Sequence, residues 1–203
     1  YLLEKRRSSS QTPDLWQVSA QPITAVKDAV DIFLDFIDEV ATEDRVALSV
    51  YTSSNSHGLL EHGLTDDVEM VRTTTRHRQA GHYHGSTNIG AGVAVGRAGL
   101  GRTRRGGTLK ALGLLTDGQA NLPSGSGRSY AVQQAQLAAD AGYPIAAISL
   151  GANADMSLME EIAQISNGVS FHVPGGQSVE QYEVELIEVF RQIARERPLR
   201  LVN

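Results

Sequence analysis

Hydrophobic residues recur along the chain in two alternating patterns. Between residues 22 and 40 they return every three or four positions while lysine and aspartates occupy the other face, which predicts an amphipathic helix. Residues 45–51 follow as a nearly continuous apolar run, which is typical of a strand covered on both faces. Because the two patterns alternate over the rest of the chain, we expect βαβ units and a mostly parallel sheet.

The other predicted elements continue this alternation. Further helices are predicted over residues 65–77, 129–141, 156–166 and 178–197, and one more begins at Ile89; further strands are predicted over residues 109–115, 145–150 and 169–173. The predicted fold is α/β, with a doubly wound, mostly parallel central sheet and helices on both faces. We expect a single domain over residues 1–203, with a short or truncated first strand at 1–5. Residues 198–203 would start a following strand or a linker.

Charge and composition narrow the classes of function. The formal net charge is −5, which argues against a nucleic-acid partner because such proteins carry a basic face. The chain has no cysteine, so disulfides and thiolate metal sites are excluded. No apolar run reaches the ~18 residues that a membrane-spanning helix needs. Since the sequence begins at Tyr1 without an initiator methionine, we expect a fragment or a processed form, and any signal or membrane anchor would lie upstream of it.

Two polar segments stand where a parallel sheet places its ligands, beyond the carboxyl ends of the strands. Thr116-Asp117-Gly118 closes a predicted buried strand, and Gly85-Ser86-Thr87-Asn88 precedes a predicted helix. A carboxylate and hydroxyls are ligands that a hard cation such as Mg²⁺ prefers. Taken alone, the first segment is more simply explained as a turn after a strand, and the second as the start of a well-capped helix.

In this order and context, the segments resemble the von Willebrand factor A family, and the resemblance covers nearly the whole chain. Five segments carry the resemblance. In order, they match the family's second strand, threonine loop, aspartate loop, late strand and the helix after that strand: Asp44–Leu48, Gly85–Gly92, Leu114–Asn121, Tyr143–Gly151 and Asp155–Gly168. The resemblance implies a Rossmann-like sheet and a metal-ion-dependent adhesion site that binds Mg²⁺ or Mn²⁺. It also implies a protein partner whose acidic side chain completes the coordination of the metal.

Within this family, the sequence most resembles TadG-like bacterial pilus-assembly proteins. Residues 29–36 and the Thr87-Asn88-Ile89-Gly90 stretch carry this narrower resemblance. It implies an extracytoplasmic or cell-surface location, most simply in a bacterium.

The first metal loop departs from the family pattern, which reads Asp-x-Ser-x-Ser. The matching segment here is Arg6-Arg7-Ser8-Ser9-Ser10, so Ser8 and Ser10 match the two serines and Arg6 replaces the aspartate. The metal ligands implied by the resemblance are therefore Ser8, Ser10, Thr87 and Asp117. A guanidinium beside the cation would oppose binding by ~4 kcal/mol per pair of unit charges at an effective dielectric near 20.

Arg6 leaves two outcomes open for this degenerate site. Arg6 could pair with Asp117 and replace the ion, which would give a metal-free domain. Alternatively, the register differs and Arg6 points away, so that weak metal binding survives through Ser8, Ser10, Thr87 and Asp117.

Three hypotheses about function follow. The first is a non-enzymatic protein-binding or adhesion module in a bacterial pilus or surface assembly. The second is a structural assembly domain whose metal site is vestigial. The third is a hydrolase or nucleotide-using enzyme on a Rossmann-like sheet, which is disfavoured because no nucleophile, pair of carboxylates or phosphate loop is recognisable.

Overall fold

Helices and strands alternate through the part of the chain that the computed structural model describes, which comprises residues 14–19, 22–39, 44–51, 58–78, 85–102, 108–174 and 179–195. The helices are α1 (Ile23–Glu39), α2 (Val68–Arg76), α3 (Ile89–Gly101), α4 (Gly127–Asp140), α5 (Met156–Ile165) and α6 (Val179–Arg195). The strands are β1 (Val46–Val50), β2 (Leu59–Thr65), β3 (Leu112–Thr116), β4 (Ile145–Leu150) and β5 (Ser170–Val173). A short 3-10 helix, Leu15–Gln17, precedes α1.

Three of the strands form a parallel sheet in the order β3-β4-β5. Thr116 at the end of β3 pairs with Ser149 of β4, which in turn pairs with His172 of β5. The carboxyl ends of the three strands therefore share one edge. The parallel sheet is confirmed, and its edge is where the predicted aspartate loop begins.

Side chains of β4 alternate between two layers of helices, as expected for a strand whose successive residues face opposite sides. Ile145 and Ala147 belong to a buried cluster with residues of α3, α4 and α5. Ile148 and Leu150 belong to a second cluster with residues of α1, β5 and α6. Helices therefore cover both faces of the sheet, and the doubly wound α/β architecture is confirmed.

The remaining strands, β1 and β2, form a separate two-stranded sheet and are antiparallel. The prediction for this region was wrong in two respects: residues 59–65 form a strand that was missed, and Thr65 ends that strand instead of starting a helix. Helix α2 begins only at Val68, where the Asp67 carboxylate accepts a hydrogen bond of 2.9 Å from the Met70 N–H. Strand β2 was missed because Glu61, His62 and Gly63 interrupt its apolar pattern. This segment forms a strand by pairing with β1, a contact that its local sequence does not predict.

Other predicted boundaries shift by a few residues. Strand β3 begins at Leu112 and not at residue 109, and α4 begins at Gly127, two residues earlier than predicted. The predicted ends of α4 and α5 are confirmed by left-handed residues, Gly142 with φ 73° and Asn167 with φ 55°.

Several predictions concern residues outside the described part of the chain. They include the short first strand at residues 1–5, the final turn of the last helix at 196–197, and the segment 198–203. The single domain over residues 1–203 stays a prediction. Within the described residues, no helix is both long and apolar enough to cross a membrane.

Candidate functional site

The threonine loop and the aspartate loop are fastened to each other through Thr87 and Asn121. The Thr87 carbonyl accepts hydrogen bonds from the backbone N–H groups of Asn121, at 3.0 Å, and Leu122, at 3.2 Å. In return, the Thr87 N–H donates to the Asn121 side-chain oxygen at 3.4 Å. These bonds join segments 34 residues apart, so they fix the two predicted loops as one unit.

Gly118 allows the Thr87 hydroxyl to come close to the turn that carries Asp117. A Cβ atom at position 118 would lie only 3.1 Å from Thr87 Oγ1, closer than ordinary van der Waals contact. The buried Thr116 hydroxyl holds the same turn by accepting a hydrogen bond of 3.3 Å from the Gly118 N–H. The structure therefore brings together Thr87 and the Asp117 turn, as predicted from the sequence.

The Asp117 carboxylate is exposed at the carboxyl edge of the sheet. It forms neither a hydrogen bond nor an ion pair with any other residue in the described ranges. A carboxylate presented in this way can take a ligand from outside, since no described cation competes for its charge.

The N-cap of α3 fixes where the threonine loop enters this helix. Asn88 is 1% exposed, and its side-chain oxygen accepts a hydrogen bond of 3.0 Å from the Ala91 N–H. This N-cap satisfies a backbone donor that the first helical turn would otherwise leave unpaired. The residue next to Thr87 is therefore anchored in the core while Thr87 itself remains half-buried at the surface.

Tyr51 supports the site from below and was not singled out by the sequence. Its ring packs directly on Gly92, where a side chain would collide with it. Its hydroxyl donates a hydrogen bond to the Leu115 carbonyl, two residues before Asp117. Burial raises the pKa of Tyr51 well above its ordinary value, and the negative charge of Asp117 raises it further, while a hydrogen bond with Thr116 opposes the shift. Tyr51 therefore links β1 to the end of β3 beneath the candidate site.

Asp155 borders the site on the other side, and its carboxylate is already engaged. Its backbone N–H donates to the Gly118 carbonyl at 3.3 Å, while its side chain caps α5 by accepting from the Leu158 N–H at 3.0 Å. Arg128 also binds this carboxylate at 3.2 Å and reaches Glu161 at 2.5 Å. Asp155 is thus a structural neighbour of Asp117; its position immediately before α5 was the sequence signal for this capping role.

The described residues fit part of the predicted metal site. Thr87 and Asp117 offer a hydroxyl and a carboxylate, which suit a hard cation. The other predicted ligands, Ser8 and Ser10, lie outside the described residues together with Arg6, so both outcomes for this site stay predictions. Elsewhere in the described ranges, no group of three or more histidine or acidic side chains is arranged to hold a metal ion.

The sequence profile of the von Willebrand factor type A domain matches residues 16–184, which is most of the chain. A search of curated proteins found no match.

Solved structures of the same fold come from several sources. The chain is similar to the conserved hypothetical protein BatB from Bacteroides thetaiotaomicron, with 16% identity and a TM-score of 0.64 over 87% of this chain and 91% of that one. It is similar to proximal thread matrix protein 1 from the mussel byssus, solved with zinc in its metal-ion-dependent adhesion motif, with 20% identity and a TM-score of 0.60 over 84% and 40%. It is also similar to the PilB minor pilin from Streptococcus sanguinis, with 13% identity and a TM-score of 0.65 over 94% and 57%.

At these identities the likeness establishes the shared fold. The present chain corresponds to nearly all of the BatB structure. It corresponds to 57% of the minor pilin and to 40% of the byssus protein.

Proposed function

Since the chain belongs to the von Willebrand factor type A domain family, whose members are protein-interaction modules that often bind a divalent metal, we propose that it is a non-enzymatic protein-binding module. Its binding face is the carboxyl edge of the parallel sheet around Thr87 and Asp117. The observation that carries this proposal is the exposed Asp117 carboxylate, which has no charge partner among the described residues and stands on a turn fastened to the Thr87 loop.

The chemistry of this face favours binding over catalysis. Asp117 supplies one exposed carboxylate, and the Thr87 hydroxyl lies beside its turn. The neighbouring Asp155 carboxylate is held by Arg128 and by the first turn of α5, so it is not available as a second acid or base. Among the described residues, this single carboxylate and hydroxyl make a ligand set and lack the positioned acid and base that general acid–base catalysis uses.

We propose Mg²⁺ or Mn²⁺ as the metal of this face, held by Thr87 and Asp117 together with Ser8 and Ser10. When bound, the ion would offer a coordination position to an acidic side chain of the partner. Arg6, in the position of the family's motif aspartate, makes this a degenerate site with one carboxylate fewer, and we expect its affinity to be weak because hard-cation affinity follows ligand charge.

The proposed setting is the bacterial cell surface, in a pilus or another surface assembly. The similarity of fold to a minor pilin supports this setting, as does the similarity to an aerotolerance-related membrane protein from Bacteroides fragilis. Protease treatment of intact cells tests it: the domain should be degraded at the surface while a cytoplasmic marker survives, and complete protection in intact cells would count against it.

The metal is tested by calorimetric titration with Mg²⁺ and Mn²⁺. Asp117→Asn removes the charge and keeps the shape, so it should weaken Mn²⁺ binding by at least about tenfold. Thr87→Ala should weaken binding less, because it removes a neutral ligand. Asp140→Asn is the matched control: it alters an exposed aspartate at the far end of α4, roughly 20 Å from Gly127, and should leave binding unchanged.

The binding face is tested with immobilised peptides that carry a single aspartate or glutamate, with and without Mn²⁺. Binding should require Asp117 and Thr87 and should survive Asp140→Asn. If both Asp117→Ala and Thr87→Ala bind the peptides normally, this face is not the site. If millimolar Mg²⁺ and Mn²⁺ give neither heat nor a thermal shift, the alternative of a structural assembly domain with a vestigial, metal-free site is favoured instead.

A further inference from the structure

A small cavity of about 60 Å³ lies between α5 and the last two strands of the parallel sheet. Its walls combine Met156, Met159 and Glu160 of α5 with Ser149 of β4 and His172 of β5. The volume exceeds what a single water molecule requires, so the cavity can hold an ion.

Two methionines line this cavity. The chain contains three methionines and no cysteine, and two of the three methionines line the same wall. Met156 and Met159 are one helical turn apart, so they lie on the same face of α5. Met159 is 1% exposed and Met156 is 41% exposed, which gives the cavity a buried inner wall and a wall open to solvent.

The imidazole of His172 is positioned by the register of the sheet. His172 and Ser149 are paired neighbours on parallel strands, and their side chains lie 2.9 Å apart, between Ser149 Oγ and His172 Nδ1. The Ser149 hydroxyl donates its single hydrogen to the Phe171 carbonyl at 3.2 Å. When the hydroxyl donates to this carbonyl it accepts from His172, and in that tautomer the proton lies on Nδ1 and the lone pair of Nε2 is free.

This arrangement has the chemistry of a soft-metal site. Histidines that bind metals commonly donate their second ring N–H to an oxygen, which fixes the tautomer and the orientation of the ring. Thioether sulfur selects Cu(I), whereas Mg²⁺ prefers oxygen ligands and Zn²⁺ is bound by thiolate, imidazole and carboxylate. Glu160 adds a negative charge at the rim of the cavity, which favours a cation.

We propose that Met156, Met159 and His172 form a binding site for a soft monovalent metal ion, Cu(I), with Ser149 as the residue that positions the imidazole. The proposed ligands include neither Thr87 nor Asp117, so the two proposals share no residue. Asp117→Asn should accordingly leave Cu(I) binding unchanged, so the failure of one proposal does not affect the other.

The primary test follows the methionine methyl groups by NMR during titration with Ag(I), the redox-stable analogue of Cu(I). Three methionines give three methyl signals, which are assigned with the variants Met70→Leu, Met156→Leu and Met159→Leu. One equivalent of Ag(I) should shift the Met156 and Met159 signals and leave the Met70 signal in place. Met70 is an internal control because it contacts His62 and forms the other methionine–histidine pair in the described structure.

Affinity for Cu(I) is measured anaerobically by competition with a chromophoric chelator. Ser149→Ala should weaken binding about tenfold to a hundredfold, the usual range for loss of a partner that orients a ligand. His172→Gln and the pair Met156→Leu with Met159→Leu should weaken it at least as much. Leucine conserves the volume of methionine, so these variants retain the packing of α5, which thermal unfolding verifies.

Three results would overturn the proposal. The first is a methyl shift confined to Met70, or a loss of affinity in Met70→Leu, which would assign the soft metal to the Met70–His62 pair. The second is Cu(I) affinity that His172→Gln leaves unchanged. The third is Zn²⁺ binding with the same variant pattern but no methionine shift, which would indicate a site made of His172 and Glu160 alone.

Discussion

At the scale of single residues, Tyr51 connects the antiparallel pair of strands to the candidate site. Its ring occupies the space that Gly92 leaves empty, and its hydroxyl bonds to the carbonyl of Leu115. The local sequence predicts neither contact, because it shows Tyr51 only as the last residue of an apolar run. Its role depends on two residues that are 41 and 64 positions away in the chain.

Tyr51 makes the stability of the domain depend on pH in the alkaline range. Burial, reinforced by Asp117, raises the pKa of Tyr51, so the folded state holds this proton more tightly than the unfolded state does. The stabilisation is complete below about pH 10, the ordinary tyrosine value, and is lost as the pH rises beyond it. Tyr51→Phe should cost about 1 kcal/mol of unfolding free energy at pH 8 through the lost hydrogen bond.

The same substitution should flatten the pH dependence. The difference in unfolding free energy between the two proteins, measured by urea denaturation at several pH values from 8 to 11, should shrink above about pH 10. Equal slopes in this range would show that the Tyr51 hydroxyl does not titrate differently in the folded and unfolded states.

Between elements, charged side chains fasten α2 to α1. Asp28, Asp31 and Asp35 are spaced along one face of α1, and Arg72 and Arg76 reach them from α2. Asp31 is the most buried of the three aspartates and contacts both arginines. The sequence predicted these aspartates as a solvent-facing side of the first helix. It could not predict their partners, since α2 lies some forty residues further along the chain.

The central and the outer aspartates of this ionic cluster should contribute unequally to stability. Asp31→Asn removes a buried charge between two guanidinium groups and should cost about 1.5–3 kcal/mol of unfolding free energy. Asp35→Asn is the matched control, because Asp35 is 59% exposed and also contacts Arg72. Its loss should cost less than about 1 kcal/mol, as for other exposed ion pairs. Urea denaturation compares them, and equal costs would mean that burial of Asp31 does not strengthen its contacts.

Across the whole molecule, β4 joins the two hydrophobic clusters, because its side chains enter both. If either cluster lost its packing, one face of β4 would be exposed to solvent. We therefore expect the two layers of helices to unfold together, as a single domain would.

A pair of core variants tests this cooperativity. Leu158 belongs to the first cluster and Leu186 to the second, and both are fully buried. Leu158→Ala and Leu186→Ala should each cost about 2–5 kcal/mol of unfolding free energy. In both variants, far-UV circular dichroism and the fluorescence of Trp16, the single tryptophan, should report the same transition. A variant in which one signal changes well before the other would show two independently unfolding units.

Local sequence is enough to predict the alternation of helices and strands, the doubly wound class, and the two loops that carry Thr87 and Asp117. These follow from local periodicity and from the rule that parallel strands present their carboxyl ends at one edge. Three other features depend on packing: β2 pairs with β1, Asn121 fastens the threonine loop, and Asp155 is held while Asp117 is exposed. Packing also brings His172 to Met156 and Met159. These contacts join residues that are far apart in the chain. A local sequence pattern does not reveal which distant side chain will pack against a given residue.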